Sequence, residues 1–216
     1  MTEQNFEQMR RAMVASQLRT TGVNDPSVLA AMGAVARERF VPAERATTAY
    51  ADAPVALGNG RFLNSPMALG KLLNEADPVA SDRALVVGAA TGYAAAVLSG
   101  LVGSVVALEE DQDLVRRART LLKGQPVEFV QGQLAKGCKK RAPYDLIVID
   151  GAVDHVPDTL IDQLVDGGRL ATGLIEHGVQ RLALGRRVGE AFGITAFADA
   201  AVAELPGFAR PAAFSF

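Results

Sequence analysis

The chain has 216 residues, of which 49% are hydrophobic, and a formal charge of −2. That length fits one large domain or a domain with an appendage, and the apolar share can build a core without staples. The near-neutral balance leaves no electrostatic footprint for nucleic acid, and the single cysteine, Cys138, excludes both an intrachain disulfide and a thiol cluster for a metal.

One cysteine suits a reducing compartment. The start, Met1 to Glu7, is polar and acidic rather than basic and then apolar, so a cytoplasmic location is expected. No run approaches the roughly 20 apolar residues of a membrane span. His155 and His177 lack metal-ligand spacing, so neither a membrane nor a metal is expected. The basic cluster Lys136, Lys139, Lys140 and Arg141 reads as a solvated turn before a strand.

In chain order, residues 5–20 carry Phe6, Met9, Met13, Val14 and Leu18 at helical spacing, and Thr20-Thr21-Gly22 ends that helix. Asp25-Pro26 starts the next, with Val28, Leu29, Met32 and Val35 inward, and Arg37 to Pro42 closes it. Residues 49–60 lack a period and read as loop with short extended pieces. Ser65 and Pro66 open a third helix carrying Met67, Leu69, Leu72 and Leu73. Asn64 and Ser65 therefore stand at a helix N-terminus, where backbone N–H groups favour an anion.

From Arg83 a strand–helix alternation sets in. Arg83 to Gly88 is a short apolar strand that breaks into Ala89, Ala90, Thr91 and Gly92 before a helix over 92–102. Strands follow at 105–109 and 127–130, separated by a helix over 112–122. Tyr144 to Asp150 is nearly all apolar, as in a strand buried on both faces. A short helix runs from Pro157 to Leu164 with Gly167-Gly168 as its exit, and Arg169–Leu174 forms a fifth strand. Residues 180–187 and 193–216 read as an antiparallel hairpin at the sheet edge. The expected organisation is a helical cap with an active-site loop over 1–76 and a doubly wound α/β core over 77–216, in one compact unit.

In such a sheet a ligand sits beyond the carboxyl ends of the strands. Glu109 ends the second strand, where a carboxylate can accept two hydrogen bonds from a ribose diol. The turn Gly88-Ala89-Ala90-Thr91-Gly92 lacks the middle glycine of a pyrophosphate-binding G-x-G-x-x-G. That favours a phosphate-free nucleoside cofactor and argues against a nicotinamide oxidoreductase. Asp150, ending the fourth strand, lies near the same cleft.

The text Met13-Val14, Gln17-Leu18, Gly22-Val23, Val28 to Met32, Phe40-Val41-Pro42, Ala49 to Asp52, Gly58-Asn59-Gly60, Thr91-Gly92-Tyr93 and Gly167 to Leu170 resembles the protein-L-isoaspartate O-methyltransferase family over nearly the full chain. The resemblance implies a seven-stranded class I methyltransferase fold, Rossmann-like and mostly parallel with an antiparallel C-terminal edge. It implies S-adenosylmethionine as cofactor, held by Gly88, Ala89, Ala90, Thr91, Gly92, Glu109, Gln133 and Asp150. The implied partners are damaged proteins or peptides bearing isoaspartate, met by Asn64 and Ser65 as the catalytic pair. The family usually reads G-Q-T-I-S-Q-P where this chain reads Gly60 to Pro66, so its serine falls on Asn64 and its threonine on Phe62. Its strand-end acid falls on Val86, and its adenine-side aspartate on Gln133. Those departures define the alternative: a catalytically impaired relative that binds S-adenosylmethionine or S-adenosylhomocysteine weakly, or acts as an interaction protein.

Overall fold

The computed structural model describes residues 3–210 of the chain. Helix α1 (Glu3–Ala12) runs on into a π-helical stretch, Met13–Leu18, and a 3-10 turn, Arg19–Thr21. The expected first helix is thus present, but its second half is wound more widely. Gly22 ends it at φ 94°, a conformation glycine adopts without a Cβ penalty. Helix α2 (Pro26–Ala34) opens as expected, with Asp25 Oδ1 accepting from the Val28 N–H at 2.8 Å.

Of the short extended pieces expected within residues 49–60, β1 (Val55–Gly58) is present and pairs antiparallel with β2 (Arg61–Leu63) just beyond. The hairpin turns on Asn59 and Gly60, both at positive φ, which is the Asn-Gly turn chemistry. Its backbone pairs with no strand of the main sheet. Helix α3 (Pro66–Ala76) follows, its first turn capped by Ser65 Oγ accepting from the Ala68 N–H at 3.2 Å.

The main sheet is built from β3 (Arg83–Val87), β4 (Ser104–Glu109), β5 (Val127–Gln131), β6 (Tyr144–Val153), β7 (Leu164–Glu176), β8 (Val179–Val188) and β9 (Ala191–Asp199). Helices α4 (Tyr93–Leu98), α5 (Gln112–Leu121) and α6 (Asp158–Ile161) lie on its crossovers. The spatial order is β5-β4-β3-β6-β7-β8-β9. The first five strands are parallel, and β7, β8 and β9 are antiparallel to one another in turn. The chain steps outward from β3 in one direction and then, from β6, in the other. The crevice at the carboxyl ends of β3 and β6 is therefore the place where such sheets hold ligands.

Side-chain alternation along β3 explains how the two layers are filled. Ala84 and Val86 point into a cluster with Met13, Leu18, Met32, Leu69 and Tyr93. Leu85 and Val87 point into a second cluster with Leu108, Ile149, Leu170, Leu205 and Phe208. Val86 is fully buried between Ala107 and Val148 of the neighbouring strands.

The C-terminal half differs from expectation in three places. The helix expected over 157–164 is limited to Asp158–Ile161, because Leu164 already pairs with Tyr144. Gly167-Gly168 is not a helix exit but lies inside β7, where the register slips between Leu164 and Arg169. The second edge strand ends at Asp199, and residues 200–210 form an irregular strap, not a strand. The strap is tied to β6 by a short parallel bridge, with the Ala152 N–H donating to Ala203 and the Leu205 N–H to Ala152. The rest of that expected strand, residues 211–216, lies outside the described residues. Among the described residues, no helix is long and apolar enough to cross a membrane.

Candidate active site

Turn 88–92 passes beneath the crevice. The Gly88 and Ala89 N–H groups both donate to the Leu108 carbonyl at 3.0 Å, tying the turn to β4. Gly88 and Gly92 lie at φ 76° and 97°. Ala90 is also left-handed, at φ 49°, although it has a Cβ. It stands where a glycine-rich turn would place its middle glycine, and the strained conformation points the Ala90 N–H at Glu109 Oε2, 2.7 Å away. Thr91 does not face the crevice with its hydroxyl, which donates to the Phe40 carbonyl at 2.6 Å.

Glu109 is fully buried and both of its carboxylate oxygens are hydrogen-bonded. Oε2 accepts from Ala90. Oε1 accepts from the Glu110 and Asp111 N–H groups at 2.9 and 3.1 Å and from Arg61 Nη1 at 2.5 Å. Arg61 is itself buried, and its Nη2 donates to the Gly88 carbonyl at 3.2 Å. The guanidinium thus lies across the space between the end of β4 and the turn after β3. Leu205, from the strap, closes the same space. A Cβ built on Gly88 would stand 2.8 Å from Leu205 Cδ1 and 3.3 Å from Arg61 Nη2.

These contacts are a direct test of fit for a nucleoside cofactor. A ribose on Glu109 needs an acceptor oxygen that Arg61 holds, and a chain passing over Gly88 needs the volume that Leu205 fills. In this arrangement the residues do not accommodate the group.

Asn64 and Asp150 meet on the far side of the crevice. Asn64 Nδ2 donates to Asp150 Oδ1 at 2.9 Å, and Asn64 Oδ1 accepts from the Ala203 N–H at 2.9 Å. Burial pushes the Asp150 carboxyl above its ordinary range, partly opposed by the Asn64 hydrogen bond and the nearby Arg37 charge. Ser65 lies beside them, buried, with Oγ engaged in the α3 cap.

Behind Asn64 is Arg37, wholly buried. Its Nη2 donates to the Asn64 carbonyl and its Nε to the Ala49 carbonyl. Its guanidinium carbon sits 4.7 Å from the centre of the Tyr93 ring. Burial lowers the Arg37 pKa, partly opposed by the nearby Tyr93 and Asp150 side chains. Among the described residues, Arg37 Nη1 and the Tyr93 hydroxyl have no hydrogen-bond partner.

Of the residues singled out in the sequence, the structure brings Gly88 to Gly92, Glu109, Asn64, Ser65 and Asp150 to one end of the sheet. Gln133 stands apart, exposed after β5, and none of the hydrogen bonds found involves its side chain. Phe62 is 38% exposed and lines a cavity of about 390 Å³ with Gly60, Val153, Leu205 and Phe208. Arg61, Leu205 and Arg37 were not found by sequence reasoning.

The model of the family described as protein-L-isoaspartate(D-aspartate) O-methyltransferase matches residues 9–200. The chain is 38% identical over 181 residues to a protein-L-isoaspartate O-methyltransferase of Pelotomaculum thermopropionicum, covering 82% of this chain and 79% of that one. It is equally identical over 190 residues to protein-L-isoaspartate O-methyltransferase 2 of Pelobacter propionicus, covering 86% and 84%. A solved protein-L-isoaspartate O-methyltransferase superposes with a TM-score of 0.79 at 24% identity, over 92% of this chain and 66% of that one. A Plasmodium falciparum structure of the same description, in complex with S-adenosyl-L-homocysteine, superposes at 0.74 and 20% identity, over 93% and 97%. The sheet is that of the Rossmann-like class I methyltransferases.

Proposed function

Since the chain belongs to the protein-L-isoaspartate(D-aspartate) O-methyltransferase family, a family of enzymes, we propose that it transfers a methyl group from S-adenosylmethionine to the carboxylate of isoaspartyl residues in damaged proteins. The observation that carries this reading is the family match over residues 9–200 combined with Glu109 at the carboxyl end of β4, facing turn 88–92. Relatives named for this activity align with more than four fifths of the chain. No comparison favours the alternative of a relative that has lost its chemistry.

The reaction asks little of the protein in proton transfer. A carboxylate is already ionised at neutral pH, so no general base is required. What the chain must supply is position and a dry site. On this reading Asn64 meets the substrate at the head of α3, its backbone set by Arg37 and its amide by Asp150 and Ala203. Phe62 gives the 390 Å³ cavity an apolar wall against which a peptide can lie.

The test is incorporation of labelled methyl from S-adenosylmethionine into an isoaspartyl peptide, with the same peptide bearing ordinary aspartate as control. Label on the isoaspartyl peptide alone supports the proposal. No label above a no-enzyme control, at high enzyme concentration, refutes it.

A further inference from the structure

We infer that Arg61 and Leu205 form an internal stopper in the Glu109 cleft, and that Arg61 sets the protein's affinity for its nucleoside cofactor by competing for the Glu109 carboxylate. This rests on reading Glu109 as the ribose acceptor.

Three features of the structure support a contact that is made to be broken. First, Glu109 does not depend on Arg61 for satisfaction. Three backbone N–H groups, from Ala90, Glu110 and Asp111, also bond its two oxygens. When the guanidinium leaves, the carboxylate stays hydrogen-bonded and only one donor has to be replaced, which a ribose hydroxyl can do. Secondly, Arg61 sits on β2, in a hairpin that pairs with no other strand. Val55, Leu57 and Leu63 anchor the hairpin in the core, but no backbone ladder fixes Arg61 to the sheet it reaches over. Beside the Arg61–Glu109 contact, a side-chain bond from Asn59 Nδ2 to Asp111 Oδ2 at 3.0 Å ties the hairpin's turn to the N-cap of α5. Thirdly, Leu205 reaches Gly88 from the irregular strap, outside any named strand. Both stoppers therefore come from segments outside the seven-stranded sheet, and the parts they cover, turn 88–92 and Glu109, are tied to it.

The two residues close different parts of the cleft. Arg61 occupies the acceptor, a polar competition for Glu109 and the Gly88 carbonyl. Leu205 occupies volume, an apolar contact against the glycine at the floor of the turn. A protein whose competent form is only fractionally populated shows an affinity reduced by that fraction, so an open form present at about one part in ten weakens binding about tenfold. Removing either stopper returns that factor.

The test is calorimetric titration of S-adenosylhomocysteine into the wild-type protein, Arg61→Gln and Leu205→Ala. Glutamine keeps an amide that can donate to Glu109 but removes the charge. Alanine opens volume without touching the acceptor, and so keeps the question answerable if the first variant folds poorly. The expected result is binding at least about tenfold tighter in one or both variants than in wild type. Equal or weaker binding in both overturns the inference, and so does the absence of binding in all three proteins. Tighter binding without methyl transfer to an isoaspartyl peptide leaves the stopper standing and refutes the proposed reaction. Methyl transfer with unchanged affinities does the reverse.

Discussion

Arg61 and Glu109 are 48 residues apart in the chain and 2.5 Å apart in space, both buried. The pair joins the hairpin to the end of β4 and crosses the crevice in which this fold holds its ligand. The two partners are unequal. Without Arg61, Glu109 keeps its backbone donors. Without Glu109, Arg61 is left as a buried cation with only the Gly88 carbonyl. Glu109→Ala should therefore lower unfolding stability by about 3–5 kcal/mol, the usual cost of leaving one member of a buried pair unmatched. Arg61→Gln should cost much less. Urea denaturation of both variants checks the asymmetry, and equal losses would count against it.

Ala90 carries a Cβ at φ 49°. A non-glycine residue held left-handed loses roughly 1–2 kcal/mol against the ordinary helical region, part of which glycine returns through the greater freedom of its unfolded chain. Ala90→Gly should therefore raise stability by about 0.5–1 kcal/mol and leave the hydrogen bond to Glu109 in place. A thermal melt reads the change, and a lower midpoint would show that the turn is not strained there.

Asp150 gives a pH-dependent prediction. Its carboxyl is held above the ordinary carboxylate range by burial. A raised acid binds more protons folded than unfolded, so its contribution to stability falls as pH rises from about 4 through the folded value. Asp150→Asn removes that titration and keeps an oxygen to accept from Asn64. The stability of the variant relative to wild type should be constant below pH 4 and improve as pH rises above it. Denaturation curves across that range test this, and a difference independent of pH would contradict it.

Asn64 uses both ends of its amide, towards Asp150 and towards the Ala203 N–H. Asn64→Ser shortens the side chain and leaves a buried donor or acceptor unmatched, which costs about 1–3 kcal/mol. The strap loses an anchor at Ala203, so protease cleavage within residues 200–210 should quicken. Unchanged stability and cleavage would show that the strap is held by its other ties, the bridge to β6 and the Val202 N–H to Gln180 Oε1.

The alternating core was legible because its strands are short apolar runs bounded by glycine and acid. Arg83 to Gly88, Val105 to Glu109 and Tyr144 to Asp150 lie where they were expected. Glu109 and the turn were legible for the same reason, since position at a strand end decides what they face. Less could be read where a long-range contact decides the conformation. Gly167-Gly168 reads as a helix exit until Leu164 is seen paired to Tyr144. The hairpin carries an Asn-Gly turn, but its strands are too short to show alternation. Nothing local in Gly60-Arg61-Phe62 says that the guanidinium turns inward while the phenyl ring stays 38% exposed. The same is true of Leu205, whose burial depends on the strap folding back over Gly88.

The central claim is that a nucleoside cofactor sits on Glu109 above turn 88–92 once Arg61 and Leu205 withdraw. A crystal structure of the chain with S-adenosylhomocysteine tests it most directly. The account predicts the ribose hydroxyls on Glu109, the Arg61 guanidinium turned out of the crevice and Leu205 moved from Gly88. A complex in which the Arg61–Glu109 pair is intact and the ligand lies elsewhere would contradict it.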